Sequence, residues 1–200
     1  MPRTIGLTGN IACGKTTIGH ILLELGAERY IDADALVHRL YEAGQPIAIQ
    51  VEKAFGAQIL SETGVERQAL GKIVFNDPEA LRRLEAIVFP AVGQAMMHEL
   101  SSMSESGIAV IDAVKLLEGE TGKLCQSRWI VVCPEEQEFR RLVARNRFSA
   151  EEAWSRIHAQ QPIAPRIKMV DEVIDNGGTI EETRSQVTAA FKRFCERFPG

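Results

Sequence analysis

The chain has 200 residues, of which 45% are hydrophobic and 25% charged, and its formal net charge is −4. This length and composition fit one globular domain, or one core domain with small insertions. The acidic balance argues against nucleic acid as a main partner, because duplex-binding domains usually carry a basic bias. The sequence shows no apolar leader and no run of 18 apolar residues, so we expect a cytoplasmic protein without a membrane partner. No obligate protein partner is indicated.

The first predicted elements are a short buried strand and a helix. Residues 4–8 form a mostly apolar run that ends at Gly9, which predicts a strand followed by a turn. From Lys15 onward apolar residues recur at helical spacing, and Gly26 follows as a helix stop. A second strand, around residues 29–31, leads into a further helix.

The middle of the chain, residues 46–103, has apolar residues at three- and four-residue spacing and is predicted to be helical. Pro90 is expected to interrupt or kink this segment, because proline lacks the helix donor. The polar residues 101–107 predict a loop.

Three further strands are predicted over residues 108–111, 129–133 and 170–174, and capping boxes at Ser149 and Thr179 mark two helix starts. Apolar strands that alternate with helices predict an α/β fold, a parallel sheet covered on both faces. Ligands bind beyond the carboxyl ends of such strands.

Residues 9–16 match the phosphate-binding loop pattern GxxxxGK[ST] in full, with a predicted strand before them and a predicted helix after them. Its glycines let backbone N–H groups surround phosphate oxygens, and the helix N-terminus adds positive charge. Lys15 can reach the β- and γ-phosphates, and the Thr16 hydroxyl can bind Mg²⁺. The alternative is a glycine-rich turn with an exposed lysine. The predicted ATP contacts are Gly9, Ile11, Ala12, Cys13, Gly14, Lys15, Thr16 and Thr17.

Three aspartates follow predicted strands, and we expect them to converge at one edge of the sheet: Asp32, Asp34 and Asp112. Phosphoryl transfer to a hydroxyl benefits from a carboxylate that accepts the proton, and Asp34 is our choice for that base. Asp32 is the alternative base, or a Mg²⁺ ligand through water, or simply the cap of the next helix. Asp112 could also hold Mg²⁺ through water, or be an ordinary turn residue.

An arginine-rich helix follows the fourth predicted strand. It contains Arg140, Arg141 and Arg145, with Arg147 close behind, and positions 141 and 145 share one helix face. Arginines on a movable lid suit a phosphoryl group, because the guanidinium fork makes two parallel bonds. The alternative is a solvated basic face.

Cys13 lies inside the phosphate-binding loop. We expect the helix N-terminus and Lys15 to favour its thiolate, which would make the loop sensitive to alkylation and oxidation. The alternative is that Cys13 is only a small residue that fits the loop.

The chain contains no guanine-reading Asn-Lys-x-Asp and is short for a motor or transporter ATPase, so a compact small-molecule kinase fits best. Its motifs resemble those of the dephospho-coenzyme A kinase family over nearly the whole chain. The phosphate loop alone is generic, whereas the other motifs together are specific. The segments that carry the resemblance are Gly6-Leu7-Thr8-Gly9, Asp32-Ala33-Asp34, residues 71–79 with 81–85, Arg141-x-x-x-Arg145, Arg156-Ile157-x-Ala159-Gln160 and Val173-Ile174-Asp175-Asn176.

The resemblance implies a nucleotide-kinase-like three-layer fold with a five-stranded parallel core at about 1–34, 104–134 and 168–200. A helical substrate domain (about 35–103) and a helical lid (about 138–167) would complete it. The implied reaction is Mg²⁺- and ATP-dependent phosphorylation of the ribose 3′-hydroxyl of dephospho-CoA, the last step of coenzyme A biosynthesis. The implied catalytic residues are Lys15, Asp34, Arg141 and Arg145. Asn176 would lie near the adenine, and the implied acceptor contacts are Thr8, Asp32, Asp34, Asp112, Glu118 and Gln160.

Some positions depart from the family pattern. After the third strand the family's proline and a leucine are replaced by Val114 and Lys115, a usual His-Pro is Phe89-Pro90, and Cys13 stands at a position that usually has a small hydroxyl. These changes leave the phosphate loop intact but concern the acceptor pocket. Two alternatives therefore stay open: another small-molecule kinase with a nucleoside, nucleotide or shikimate-like acceptor, and a non-catalytic ATP-binding regulator.

Overall fold

The fold was analysed in a computed structural model that describes residues 1–75, 77–146 and 148–200. Asn76 and Arg147, which the sequence motifs include, lie outside the described residues. The chain divides into two compact units, the first formed by residues 1–31 and 101–200 and the second by residues 32–100.

The described residues form β-strands and α-helices. In order they are β1 (Arg3–Gly9), α1 (Lys15–Glu24), β2 (Arg29–Asp32), α2 (Ala33–Leu40), α3 (Pro46–Phe55), β3 (Leu60–Ser61), β4 (Gly64–Val65), α4 (Arg67–Val74), α5 (Pro78–Ser101), β5 (Ile108–Asp112), β6 (Ser127–Val132), α6 (Glu135–Asn146), α7 (Ala150–His158), α8 (Ile163–Ile167), β7 (Glu172–Asp175) and α9 (Ile180–Arg197).

The first unit is built on a five-stranded parallel sheet with strand order β2-β5-β1-β6-β7, so the predicted fold class is confirmed. The register pairs Leu7 with Asp112 on one side of β1 and with Trp129 on the other. Strands β1 and β5 are buried over nearly their whole length because both faces of the sheet are covered, which is why they read as mostly apolar runs. Beyond their carboxyl ends lies the loop that joins β1 to α1.

The helices of the first unit begin where the sequence predicts. Ser149 and Thr179 each cap a helix through a complete capping box, with Glu152 and Glu182 as the returning carboxylates. Helices α1 and α9 pack together with the sheet in one apolar core, to which Phe194 contributes. One short helix, α8, was not predicted, because five residues are too few to show a helical period.

The second unit is mostly helical, as predicted, but the structure corrects two details. Strands β3 and β4 form a small antiparallel hairpin within the segment predicted to be helical. Helix α5 continues through Pro90, so an interruption there is wrong, while the alternative, a kink at Pro90, stays a prediction. A proline removes one helix donor, and a 24-residue helix retains its other hydrogen bonds and several buried side chains. Within the described ranges, no helix has the length and apolarity needed to cross a membrane.

Candidate active site

The phosphate-binding loop joins β1 to α1 and has the backbone that its glycines predict. Gly9 and Gly14 have φ values of 149° and 103°, and Ala12 also has a positive φ of 57°. A side chain at Gly14 would also collide with the amide of Asn176. Position 14 therefore requires glycine both for its positive φ and for lack of space. The loop therefore leads into the N-terminus of α1, where backbone N–H groups can receive phosphate oxygens.

Lys15 lies across this loop. Its ammonium donates to the carbonyl of Gly9 at 3.2 Å and to that of Asn10 at 3.5 Å. Neutral carbonyls hold the cation in place without neutralising it, so the charge stays available for an anion. The next two residues, Thr16 and Thr17, are exposed at the start of α1.

Side chains from other elements form hydrogen bonds with the backbone of the loop. Asn176, directly after β7, donates from Nδ2 to the carbonyl of Cys13 at 2.8 Å and accepts from Thr183 at 3.1 Å. Arg141 donates to the same Cys13 carbonyl at 3.1 Å and to the carbonyl of Asn176 at 3.0 Å. Both residues were predicted as phosphate or nucleotide contacts. The structure places them in contact with the loop backbone, which they fix in its left-handed turn.

The remaining predicted lid residues differ from Arg141 in their surroundings. Gln160 accepts a 2.6 Å bond from the backbone N–H of Ile11, so it too contacts the loop. Arg145 is exposed and donates to the neighbouring Asn146 at 2.9 Å. Arg145 is therefore a cation of the predicted lid whose side chain is exposed and can change conformation.

The structure corrects the expectation for Cys13. Its side chain is fully buried, and this burial raises the pKa of the thiol from 9.0 to about 11. The nearby charge of Lys15 lowers the pKa, but by less than burial raises it. The thiolate expectation is wrong because the residue points into the core and not into the phosphate space.

The three predicted aspartates have distinct local roles. Asp112 ends β5, is largely buried, and accepts a hydrogen bond from the hydroxyl of Tyr30. Asp32 caps α2 by accepting from the N–H of Ala35 at 3.0 Å. Asp34 is exposed in the first turn of α2, within the second unit. Convergence of the three, and the role of Asp34 as base, stay predictions.

The other predicted acceptor contacts lie in the first unit. Thr8 is fully buried at the end of β1, where its hydroxyl donates to the carbonyl of Val114 at 3.1 Å. Glu118, Lys115 and Val114 itself are exposed after β5. The segment that departs from the family pattern is therefore joined to the core by a backbone carbonyl, and its new charge faces solvent.

Two buried charged residues near the loop were missed by sequence reasoning. Glu138 on α6 is 2% exposed, and burial raises the pKa of its carboxyl from 4.5 to about 7, with the charge of Glu135 adding to the effect. Arg166 on α8 is 6% exposed and reaches Thr8 and Asn10. The signal for Glu138 was its place four residues before the buried Leu142, on the same helix face.

The residues present fit a magnesium ion that arrives with a nucleotide. Among the described residues no group of three or more His, Cys, Asp and Glu side chains could hold a metal. Mg²⁺ usually takes most of its ligands from phosphates and water, so one hydroxyl and one nearby carboxylate are sufficient. Thr16 at the start of α1 and Asp112 at the end of β5 are donors of that kind.

A parallel sheet that carries this loop, its lysine and an arginine helix defines the class of P-loop kinases. Comparison with known proteins narrows the class. The family model described as dephospho-CoA kinase matches residues 3–182, and the chain belongs to that family.

A curated relative agrees with this family assignment, and two solved structures share the fold. A dephospho-CoA kinase of Carboxydothermus hydrogenoformans is 42% identical over 193 residues, which cover 95% of this chain and 93% of the relative. A crystal structure of TT1252 from Thermus thermophilus superposes with a TM-score of 0.82 and 32% identity, covering 100% of this chain and 99% of the other. A dephospho-CoA kinase from Campylobacter jejuni, 24% identical with a TM-score of 0.58, covers 96% of this chain and 97% of its own, and shows the shared fold.

Proposed function

We propose that the chain transfers the γ-phosphoryl group of ATP to the ribose 3′-hydroxyl of dephospho-CoA, which yields coenzyme A and ADP. The observation that carries the proposal is the complete phosphate-binding loop on β1 and α1 in a chain that matches this kinase family over most of its length. The full-length match gives no support to a different small-molecule acceptor or to a non-catalytic regulator.

The loop supplies the phosphate chemistry. Backbone N–H groups and Lys15 receive the β- and γ-phosphates, where the ammonium stabilises charge that builds up during transfer. Lys15 would exchange the carbonyls of Gly9 and Asn10 for phosphate oxygens, which is a short movement of a flexible side chain. Mg²⁺, held by Thr16 with Asp112 or Asp32 through water, would neutralise phosphate charge when bound.

The acceptor hydroxyl needs orientation and a proton acceptor. Asp34 is the proposed base, because it is an exposed carboxylate in the first turn of α2 and can accept the proton late in the transfer. Thr8, Asp32, Asp112, Glu118 and Gln160 are the proposed acceptor contacts. Residues of about 35–103 would form the acceptor-binding domain.

The lid, at about residues 138–167, is proposed to close over the phosphates. Arg145 is the side chain best placed to join them on closure, since it is exposed on α6. Arg141 serves the phosphates from behind, by fixing the Cys13 carbonyl and with it the turn of the loop. We further propose that Asn176 borders the adenine, and that the enzyme works in the cytoplasm.

A coupled assay of ADP release tests the proposal. We expect ADP release that depends on dephospho-CoA, with coenzyme A as the product identified by mass spectrometry. Adenosine, AMP and shikimate are the control acceptors, and each should give less than about 1% of that rate, because a site built for one acceptor leaves polar groups unpaired with others. ADP release that does not depend on dephospho-CoA, or that is faster with a control acceptor, would contradict the proposal.

A further inference from the structure

Arg166 stands out as a buried cation beside the phosphate-binding loop. Its side chain extends from α8 to the carboxyl end of β1, and the residue is only 6% exposed. Nη2 donates to the hydroxyl of Thr8 at 2.9 Å and more weakly to the carbonyl of Val114 at 3.4 Å. Nη1 donates to the side-chain oxygen of Asn10 at 3.1 Å. All three acceptors are neutral.

Among the described residues, no ion pair compensates the charge of this guanidinium. None of the ion pairs formed by the described residues includes Arg166, and its Nε has no hydrogen-bond partner among them. An arginine side chain does not lose its proton, so the site holds a full positive charge. Burial of an unpaired charge is strongly unfavourable, and an anionic ligand would relieve that cost.

The position of Arg166 indicates which anion that is. Lys15, the cation that serves the β- and γ-phosphates, contacts the backbone carbonyl of Asn10, and Arg166 contacts the side chain of the same residue. The two cations therefore meet at the first residues of the loop. An anion with several oxygens and a high negative charge can interact with two neighbouring cations, and a guanidinium fork suits a phosphoryl group.

We propose that Arg166 is a further catalytic residue, which binds oxygens of the transferred phosphoryl group and stabilises its charge during transfer. In the structure the guanidinium contacts Thr8, Asn10 and Val114, and on phosphate binding it would exchange one or more of these neutral acceptors for phosphate oxygens. The inference rests on the proposed function, because it assigns a role within the phosphoryl transfer.

The alternative role is structural, in which Arg166 only ties α8 to β1. The two roles differ in their effect on ADP and ATP. A residue that contacts the transferred phosphoryl group distinguishes ATP from ADP, whereas a structural tie affects both nucleotides alike. The two roles also predict different stabilities of an Arg166 variant without ligand. Removal of an unpaired buried charge should not destabilise the fold, whereas loss of a structural tie should.

The test compares Arg166→Gln and Arg166→Lys with the control Arg184→Gln, which removes an exposed arginine of α9 that pairs with Glu24. Binding of ATP and of ADP is measured by calorimetry without acceptor, so the result does not depend on the identity of the acceptor. For Arg166→Gln we expect ATP affinity to fall about 10-fold or more and ADP affinity to change less than about 2-fold, as for loss of a hydrogen bond to a charged group. We expect kcat to fall about 100-fold or more.

Thermal unfolding without ligand completes the experiment. The melting temperature of Arg166→Gln should equal or exceed that of the wild type, and Arg166→Lys should recover part of the discrimination between ATP and ADP. Equal losses for both nucleotides, or a lower melting temperature with unchanged discrimination, would overturn the proposal. If Arg166→Gln does not fold, Arg166→Lys decides: it keeps the charge without the fork, and unchanged kcat and nucleotide discrimination would refute the role.

Discussion

The buried carboxyl of Glu138 is expected to make the free energy of unfolding of this protein decrease as the pH rises. Glu138 is 2% exposed on α6, and its Oε2 has no hydrogen-bond partner among the described residues. Burial is the largest cause of the raised pKa of about 7, followed by the charge of Glu135, while Lys15 and Arg141 lower it. The protonated form is therefore favoured in the folded state.

The direction of the effect follows from this raised pKa. Between pH 4.5 and about 7 the unfolded chain loses the proton of Glu138 while the folded protein keeps it. The stabilisation from this group is complete below pH 4.5, decreases as the pH rises through 7, and is absent above it. The shift from 4.5 to about 7 is equivalent to about 3 kcal/mol at most.

Replacement of Glu138 by Gln keeps the shape and stays neutral at every pH. We expect Glu138→Gln to raise the free energy of unfolding by about 1–3 kcal/mol at pH 8.5, because the wild-type protein must hold an ionised carboxylate there. The melting temperature should rise by about 2–4 °C per kcal/mol for a chain of this size. Below pH 4.5 the two proteins should be nearly equal in stability.

The measurement is urea unfolding at several pH values from 4.5 to 8.5, on the wild type, Glu138→Gln and the control Glu136→Gln. Glu136 is an exposed residue of the same helix, so its replacement should leave the pH dependence unchanged. The reasoning would be refuted by a stability difference that does not vary with pH, or by a Glu138→Gln protein that is less stable than the wild type at pH 8.5.

Three further predictions concern the loop and the base. Lys15→Ala should lower transfer at least about 1000-fold through loss of charge stabilisation, with an unchanged melting temperature, and near-normal turnover would remove the loop from the mechanism. Asp34→Asn should lower kcat far more than ATP affinity, because the amide cannot accept the proton; a collapse of ATP binding with normal kcat would make Asp34 a binding residue. Cys13 should react with iodoacetamide more slowly than the partly exposed Cys195, as followed by mass spectrometry, since burial raises the pKa of the Cys13 thiol. Faster labelling of Cys13 would contradict the burial that the structure shows.

The sheet and its helix starts could be predicted from the sequence because their causes are local. Strands buried on both faces need apolar residues in succession, and β1, β5 and β6 have them. The capping boxes at Ser149 and Thr179 depend only on two side chains three residues apart. Strands β3 and β4 were missed because two residues are too few to show an alternating pattern. The continuation of α5 through Pro90 was missed because it depends on the hydrogen bonds and buried side chains of the rest of the helix.

In the candidate site, too, local features could be predicted from the sequence and side-chain environments could not. The loop sequence predicts its own backbone, since Gly9 and Gly14 take the conformations that only glycine adopts easily. The environment of a side chain could not be predicted in this way. Cys13 was expected to face phosphate and lies in the core, and the charge of Arg166 gave no sign that it is buried. Burial is decided by tertiary packing, which a charge in a sequence does not reveal.

Hydrogen bonds from Asn176 and Arg141 explain how the strained turn of the loop is held. The carbonyl of Cys13 lies between two positive φ values, at Ala12 and Gly14, and it accepts hydrogen bonds from both Asn176 and Arg141. These residues come from different elements, one after β7 and one on α6, so the turn is fixed by the assembled unit and not by the loop alone. Arg141 is bonded at the same time to the carbonyl of Asn176, which links the two supports to each other. Arg145 lies one turn further along α6 than Arg141, so a change of the loop on nucleotide binding would be passed to Arg145 through this helix. In the proposed lid, this is a physical route by which nucleotide binding would bias lid position.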